Sequence, residues 1–319
     1  MIFDKILVDK GQIRPILRFL ISVLGILTVS MAAGFIAFKI PPIKRLDSHF
    51  TLLFWYNLLL LPSLLTLYML LTRWLEQRPF ASVGLAFYGR WKNELGLGLL
   101  SGAGMILAVG CLERLLGVAK FSLSPESPGR VALAGVFLLL MLGVAAADEE
   151  LVFRGYPFQR LVDSGGPIAA VAAASVMFGL AHLLNPSHNW ISTVNTILVG
   201  VLLAVCYLRT RALWLPIGIH FAWNYFQGYV LGLPVSGLAM PEPILAASTH
   251  GPVWLTGGAY GPEGSILSSG IILAGTVYFL FTRRIYITRE MRKLALGPRS
   301  GEGALNSISP RDVVPIEKH

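Results

Sequence analysis

Three carboxylates stand in a row at Asp148, Glu149 and Glu150, and Arg154 follows Glu150 by one helical turn. They come directly after the apolar run Val131 to Ala147, in a chain of which only 13% of residues are charged. A carboxylate at the edge of hydrocarbon costs several kcal/mol unless it is paired or kept wet. Glu150 and Arg154 can pair on one helical face, in the favourable acid-before-base order. Glu149 is then left without a partner. Two more polar pairs interrupt apolar runs further on: Phe178 with His182, and His220 with Asn224, each four apart and hence on one helical face. An apolar chamber that gathered these groups would suit an unpaired glutamate to take a proton from water. The chemistry this points to is hydrolysis within a membrane.

The elements that must position these residues are membrane helices. With 319 residues and 55% hydrophobic content, the chain is too apolar for a soluble domain, and several runs exceed the ~20 residues that cross a bilayer as helix. The pattern predicts an all-α bundle of about eight spans. The first ends at Phe38 and is uncleaved, because a signal peptide has a shorter apolar core and a purely basic start. The others cover about Phe50–Thr72, Leu95–Leu112, Val131 onward, a fifth ending at Leu184, Trp190–Leu208, Leu213–Leu233 and Ile266–Thr282. Twenty of the 26 Lys and Arg fall on one side of this arrangement and six on the other. By the positive-inside rule both termini are cytoplasmic, and the Pro/Gly-rich loop from Pro234 to Ser265 faces outward. The formal charge of +9 reflects this topology and anionic lipid headgroups, not nucleic acid. Cys111 and Cys206 lie in apolar runs and read as small hydrophobes.

Depth can be counted. If the fourth helix continues to Val162 and turns at Ser164-Gly165-Gly166-Pro167, Glu149 lies sixteen residues before Gly165 and His182 seventeen after it. At 1.5 Å rise per residue both stand roughly 25 Å from the turn, so they can meet. Pro157 should kink that helix, and its last turns should protrude into the cytoplasm. Singly, each residue has a structural explanation: His182, His220 or Asn224 as interhelical hydrogen-bonding groups, Glu150 with Arg154 as an ion pair, Phe178 as packing, Asp148 facing headgroups, and His49, His188 and His250 as solvated loop residues. The shared depth of Glu149, His182 and His220 favours a site. No His-Glu-x-x-His occurs, no Gly-x-Ser-x-Gly occurs, and Ser236 sits in the outward loop. Water activated by Glu149 and His182, or a metal held by Glu149, His182 and His220, is what remains.

In this order and in separate spans, Glu149-Glu150-x-x-x-Arg154, Phe178-x-x-x-His182 and His220-x-x-x-Asn224 resemble the three motifs of the CAAX-prenyl endopeptidase and bacteriocin-processing family of intramembrane proteases. The resemblance implies an endopeptidase with a conical helical core open to membrane and cytoplasm. Glu149 and His182 would prime the attacking water, His220 and Asn224 would stabilise the oxyanion, and Glu150, Arg154 and Phe178 would complete or support the site. It implies either a divalent metal such as zinc or none, since the family has been described both ways. The substrate is a peptide or protein, with or without a lipid, and the membrane is the plasma membrane if the source is bacterial. Domain boundaries follow: helices one to three over 1–130, the catalytic core over 131–233, an outer loop and eighth helix over 234–282, and a basic, disordered tail over 283–319. Two other classes compete: a non-catalytic scaffold or immunity protein with a structural polar cluster, and a proton-coupled transporter, which would more typically show inverted repeats.

Overall fold

The computed structural model describes residues 8–9, 12–41 and 48–296. A short hairpin, β1 (Val8–Asp9) and β2 (Gln12–Ile13), precedes α1 (Pro15–Lys39) and α2 (Ser48–Leu71), which runs into a π-helical turn, Thr72–Glu76. There follow α3 (Trp91–Leu115), β3 (Ala119–Leu123), α4 (Pro128–Arg154), α5 (Tyr156–Ala181), α6 (Trp190–Thr210) and α7 (Trp214–Tyr225). The remainder comprises β4 (Leu245–Thr249), a single turn α8 (Val253–Thr256), α9 (Ile266–Phe281) and α10 (Arg289–Leu296). Local sequence explains the starts. Pro15 and Pro128 occupy first turns, where no backbone N–H is needed. Asn189 and Ser192 form a reciprocal capping box at α6, and Ser265 caps α9.

The result is an all-α integral membrane bundle, with β3 and β4 pairing antiparallel to tie the end of α3 to the loop after α7. Of the about eight spans expected, five helical segments among the described residues are long and apolar enough to cross a bilayer. One of the five, Pro128–Ala181, contains both α4 and α5. The two elements that fall short are α7, which gives way after 12 residues to a π-helical turn at Phe226–Val230, and α9, with 16. Within the tail expected from 283 onward, α10 is helical; residues 297–319 lie outside the described residues.

The connection between α4 and α5 also differs from expectation. The helix stops at Gly155, outside helical geometry, and Pro157 falls in the first turn of α5, where it fits without a kink. The turn expected near Gly165 is a break inside α5 at Gly166, whose φ of 80° suits glycine. Residues Tyr156 to Arg160 are buried instead of protruding. Their charge explains it: Arg160 and Arg18 converge on Glu76, Arg18 Nη1 at 2.6 Å from Oε2, while the Tyr156 hydroxyl donates to Oε1 at 2.7 Å. This network ties α1 and the turn after α2 to α5.

The closest crossing places the site. α3 packs along α7, and Gly98 and Gly102 of α3 meet Gly218 and its neighbours of α7 backbone to backbone. A Cβ on Gly98 would lie 2.5 Å from the Leu215 carbonyl oxygen, one on Gly218 2.7 Å from that of Leu95, and one on Gly102 would collide with the Ile219 carbonyl. Small residues one turn apart let helices approach closely in a membrane. Since His220 follows Ile219, this contact sets the height of its imidazole. Gly102→Val is therefore expected to lower the thermal unfolding midpoint in detergent by the equivalent of about 1–3 kcal/mol. Gly104→Ala, with no atom within 4 Å of the added carbon, is expected to be neutral in the same assay.

Candidate active site

Consecutive helical positions are rotated by about 100°, so the three carboxylates of α4 face three directions. Glu149 looks into a cavity of about 530 Å³ whose lining includes His182, His220, Asn224 and Phe178. Its Oε2 lies 3.7 Å from Nε2 of His182 and 3.8 Å from Nε2 of His220. Of the sequence-predicted residues, Glu149, Phe178, His182, His220 and Asn224 therefore converge on one chamber.

Each imidazole is held by its other nitrogen. His182 Nδ1 is 2.7 Å from the Phe178 carbonyl oxygen, which only accepts, so Nδ1 carries the proton and the Nε2 lone pair faces Glu149. His220 Nδ1 is 2.9 Å from Glu150 Oε1. Glu150 is expected among the catalytic residues, but it is fully buried and does not line the cavity. It sits between His220 and Arg154, whose Nη1 donates to the same Oε1 at 3.2 Å while Nη2 donates to the Gly200 carbonyl at 3.2 Å. Glu150 is thus a positioning residue for His220. The Arg154 guanidinium also lies 4.4 Å from the centroid of Phe178, and the His182 ring lies 4.6 Å from the same ring.

Asp148 does not face headgroups. It is 1% exposed and lines the cavity on the side of Tyr56, because α4 packs against α2 along this face. Ser236 belongs to the loop expected to face outward, and it too reaches the cavity. The loop after α7 folds back over the cavity, and Ser236, with Glu263, lines it. Glu263 Oε2 accepts from the Ser236 backbone N–H at 2.6 Å and from its hydroxyl at 3.1 Å. Asn195 of α6 fixes the backbone there, donating to the carbonyls of Glu263 and Ser265 at 2.7 and 2.8 Å. An amide inside the sixth apolar run was the one sequence signal for this contact.

A divalent metal is the other use of such a donor set, and it fits poorly. Two ligands of a tetrahedral zinc stand roughly 3.4 Å apart when each is about 2.0–2.1 Å from the ion. Glu149 is farther than that from both imidazoles, at 3.7 and 3.8 Å. Among the described residues, no group of three or more His, Cys, Asp or Glu side chains is placed to hold a metal. The ligand set Glu149, His182 and His220 expected for a metallo-type enzyme is not supported.

Comparison with known proteins agrees with the geometry. Residues 131–226 match the family described as Type II CAAX prenyl endopeptidase Rce1-like, a stretch that runs from α4 past α7 and encloses every motif residue. This core is similar to that family. Outside the matched stretch, α1 and α2 line part of the cavity, as does the loop with Glu263. A relative from Bacillus subtilis (strain 168), "Putative membrane peptidase YdiL", is 27% identical over 148 residues, covering 42% of this chain and 57% of the relative. The chain thus matches little more than half of that protein's length. No solved structure matches the chain.

Burial raises the Glu263 carboxyl above the usual glutamate range, against the opposing hydrogen bonds from Ser236 and Gln227 and the nearby His182. An acid with a raised folded value keeps a proton that the unfolded chain has lost, so its contribution to stability is present at low pH and lost as pH rises through the raised value. Thermal unfolding followed from pH 4 upward is expected to show stability falling above the ordinary glutamate range. Glu263→Gln is expected to flatten that part of the profile.

Proposed function

We propose that the protein is an intramembrane endopeptidase that hydrolyses a peptide bond near the membrane surface with water activated by Glu149. The observation that carries this reading is Glu149 facing the Nε2 atoms of two oriented histidines at 3.7 and 3.8 Å inside a cavity. Those separations leave room for a water between the groups. In the proposed cycle the water donates one hydrogen bond to His182 Nε2 and the other to Glu149. Its oxygen attacks the scissile carbonyl carbon as Glu149 takes the proton.

The charge that develops on the carbonyl oxygen is met by His220 and Asn224, one helical turn apart on α7 and both lining the cavity. Glu150 supplies a counter-charge at Nδ1 of His220, so the ring can carry a second proton on Nε2, keep it through the cycle and donate a hydrogen bond from it to the oxyanion. When the tetrahedral intermediate collapses, the C–N bond breaks and Glu149 returns its proton to the departing amine. The substrate is a peptide or protein segment presented from the membrane, with or without a lipid. The excess of Lys and Arg on one side supports cytoplasmic termini.

Quantitative comparison of protein termini and released peptides from cells carrying the wild-type chain or Glu149→Gln at equal expression tests the reading. Termini present with the wild type and absent with the variant are expected. If no terminus changes while Glu149→Gln still restores a deletion phenotype, the polar cluster is structural. Once a substrate is known, Glu150→Gln is expected to lower kcat by about 10²–10³-fold, the range seen when one oxyanion-stabilising donor is lost.

A further inference from the structure

The cavity extends beyond the reacting groups. Its lining also includes Ile26 and Leu27 of α1, Leu53 and Leu60 of α2, and Met141 and Leu142 of α4. Beside Glu149 on α4 stands an ionisable carboxyl that the proposed mechanism does not use. Asp148 lines the cavity, is 1% exposed, and neither of its oxygens has a hydrogen-bond partner among the described residues.

The neighbours do not supply one. Tyr56 lines the same cavity without a hydrogen bond to either Asp148 oxygen, and the Asn57 amide donates to the Leu53 carbonyl. Arg154 is engaged by Glu150 and Gly200, and no Lys or Arg is among the described residues lining the cavity. A buried acceptor without a donor is costly, and the cost is relieved by whatever brings a donor to it. The match is a positively charged hydrogen-bond donor on an apolar stem, since a Lys or Arg side chain lays its methylenes along an apolar wall and presents its charge at the end.

We propose that Asp148 is a specificity-determining residue that receives a lysine or arginine side chain of the substrate. Asp148 and Glu149 are adjacent on α4, with Cα atoms about 3.8 Å apart, so the basic residue falls within one or two positions of the cleaved bond. The inference rests on the peptidase reading, and the test has two arms that separate them.

In the first arm, wild type and Asp148→Asn in proteoliposomes are given a mixed-sequence peptide library, and cleavage products are read by mass spectrometry. The ratio of cleavage at sites with Lys or Arg within two residues of the bond to cleavage at neutral sites is expected to fall at least tenfold in the variant. An unchanged ratio, or a wild type without basic preference, overturns the subsite. Asp148→Ser replaces the asparagine variant if the latter does not fold.

In the second arm, chains carrying Glu149→Gln in nanodiscs are titrated with a lysine peptide and its norleucine analogue. At least tenfold tighter binding of the lysine peptide is expected, and addition of Asp148→Asn is expected to abolish the difference. Discrimination here with no cleavage by wild type in the first arm leaves the subsite standing and removes the peptidase reading. Equal binding of the two peptides overturns the subsite whatever the first arm gives.

Discussion

A carboxylate with no exposed surface can persist inside a membrane bundle only if its charge is answered, and Glu150 is answered from two sides. Arg154 lies one turn along its own helix, and His220 reaches it from α7. Removing either partner from such a buried pair leaves an uncompensated charge and costs several kcal/mol. That constraint does more than hold helices together. It fixes which nitrogen of His220 looks into the cavity, and through Arg154 it places the cation against Phe178, whose other neighbour is His182. The orientation of His220 therefore depends on an ion pair that never touches the cavity, while His182 is held by the Phe178 carbonyl.

Three consecutive acids thus meet three fates because a helix turns each by about 100°. Glu150 is sealed into the core, Glu149 is partly exposed to the chamber, and Asp148 looks along the chamber towards α1 and α2. The surrounding elements are built around that division. The glycine contact of α3 with α7 sets the depth of His220, and the Glu76 network holds α5, which carries Phe178 and leads to His182. The loop after α7, pinned by Asn195 and by the Ser236–Glu263 contact, covers part of the chamber.

The meeting of Glu149 with His182 and His220 was legible in the sequence, since side chains four apart share a face and rise per residue fixes depth. The path between them was not. Breaks at Gly155 and Gly166 replace the continuous helix expected to Val162, yet the meeting survives because it depends on where the two side chains end, not on the shape of the connection. The Arg18–Glu76–Arg160 network escaped because its members are far apart in sequence and follow no period. Glu263 and Ser236 escaped for a related reason: a loop without periodicity gives no clue to which wall it folds against. Asp148 was misassigned because a run of acids at the end of an apolar stretch reads as an interface, and only packing shows that α2 covers it. The lengths of α7 and α9 were not legible either, because hydropathy does not mark where a helix ends.

In the proposed mechanism Glu149 activates water and does not itself form a bond to the substrate. A single turnover in H₂¹⁸O by purified protein in proteoliposomes, with excess enzyme over a substrate peptide, tests this most directly. Direct attack by water predicts one ¹⁸O in the new product carboxylate and none in the Glu149 side chain, read by mass spectrometry of product and enzyme peptides. Label in Glu149 together with an unlabelled first product would mean a covalent acyl intermediate on that residue, and would contradict direct attack by water.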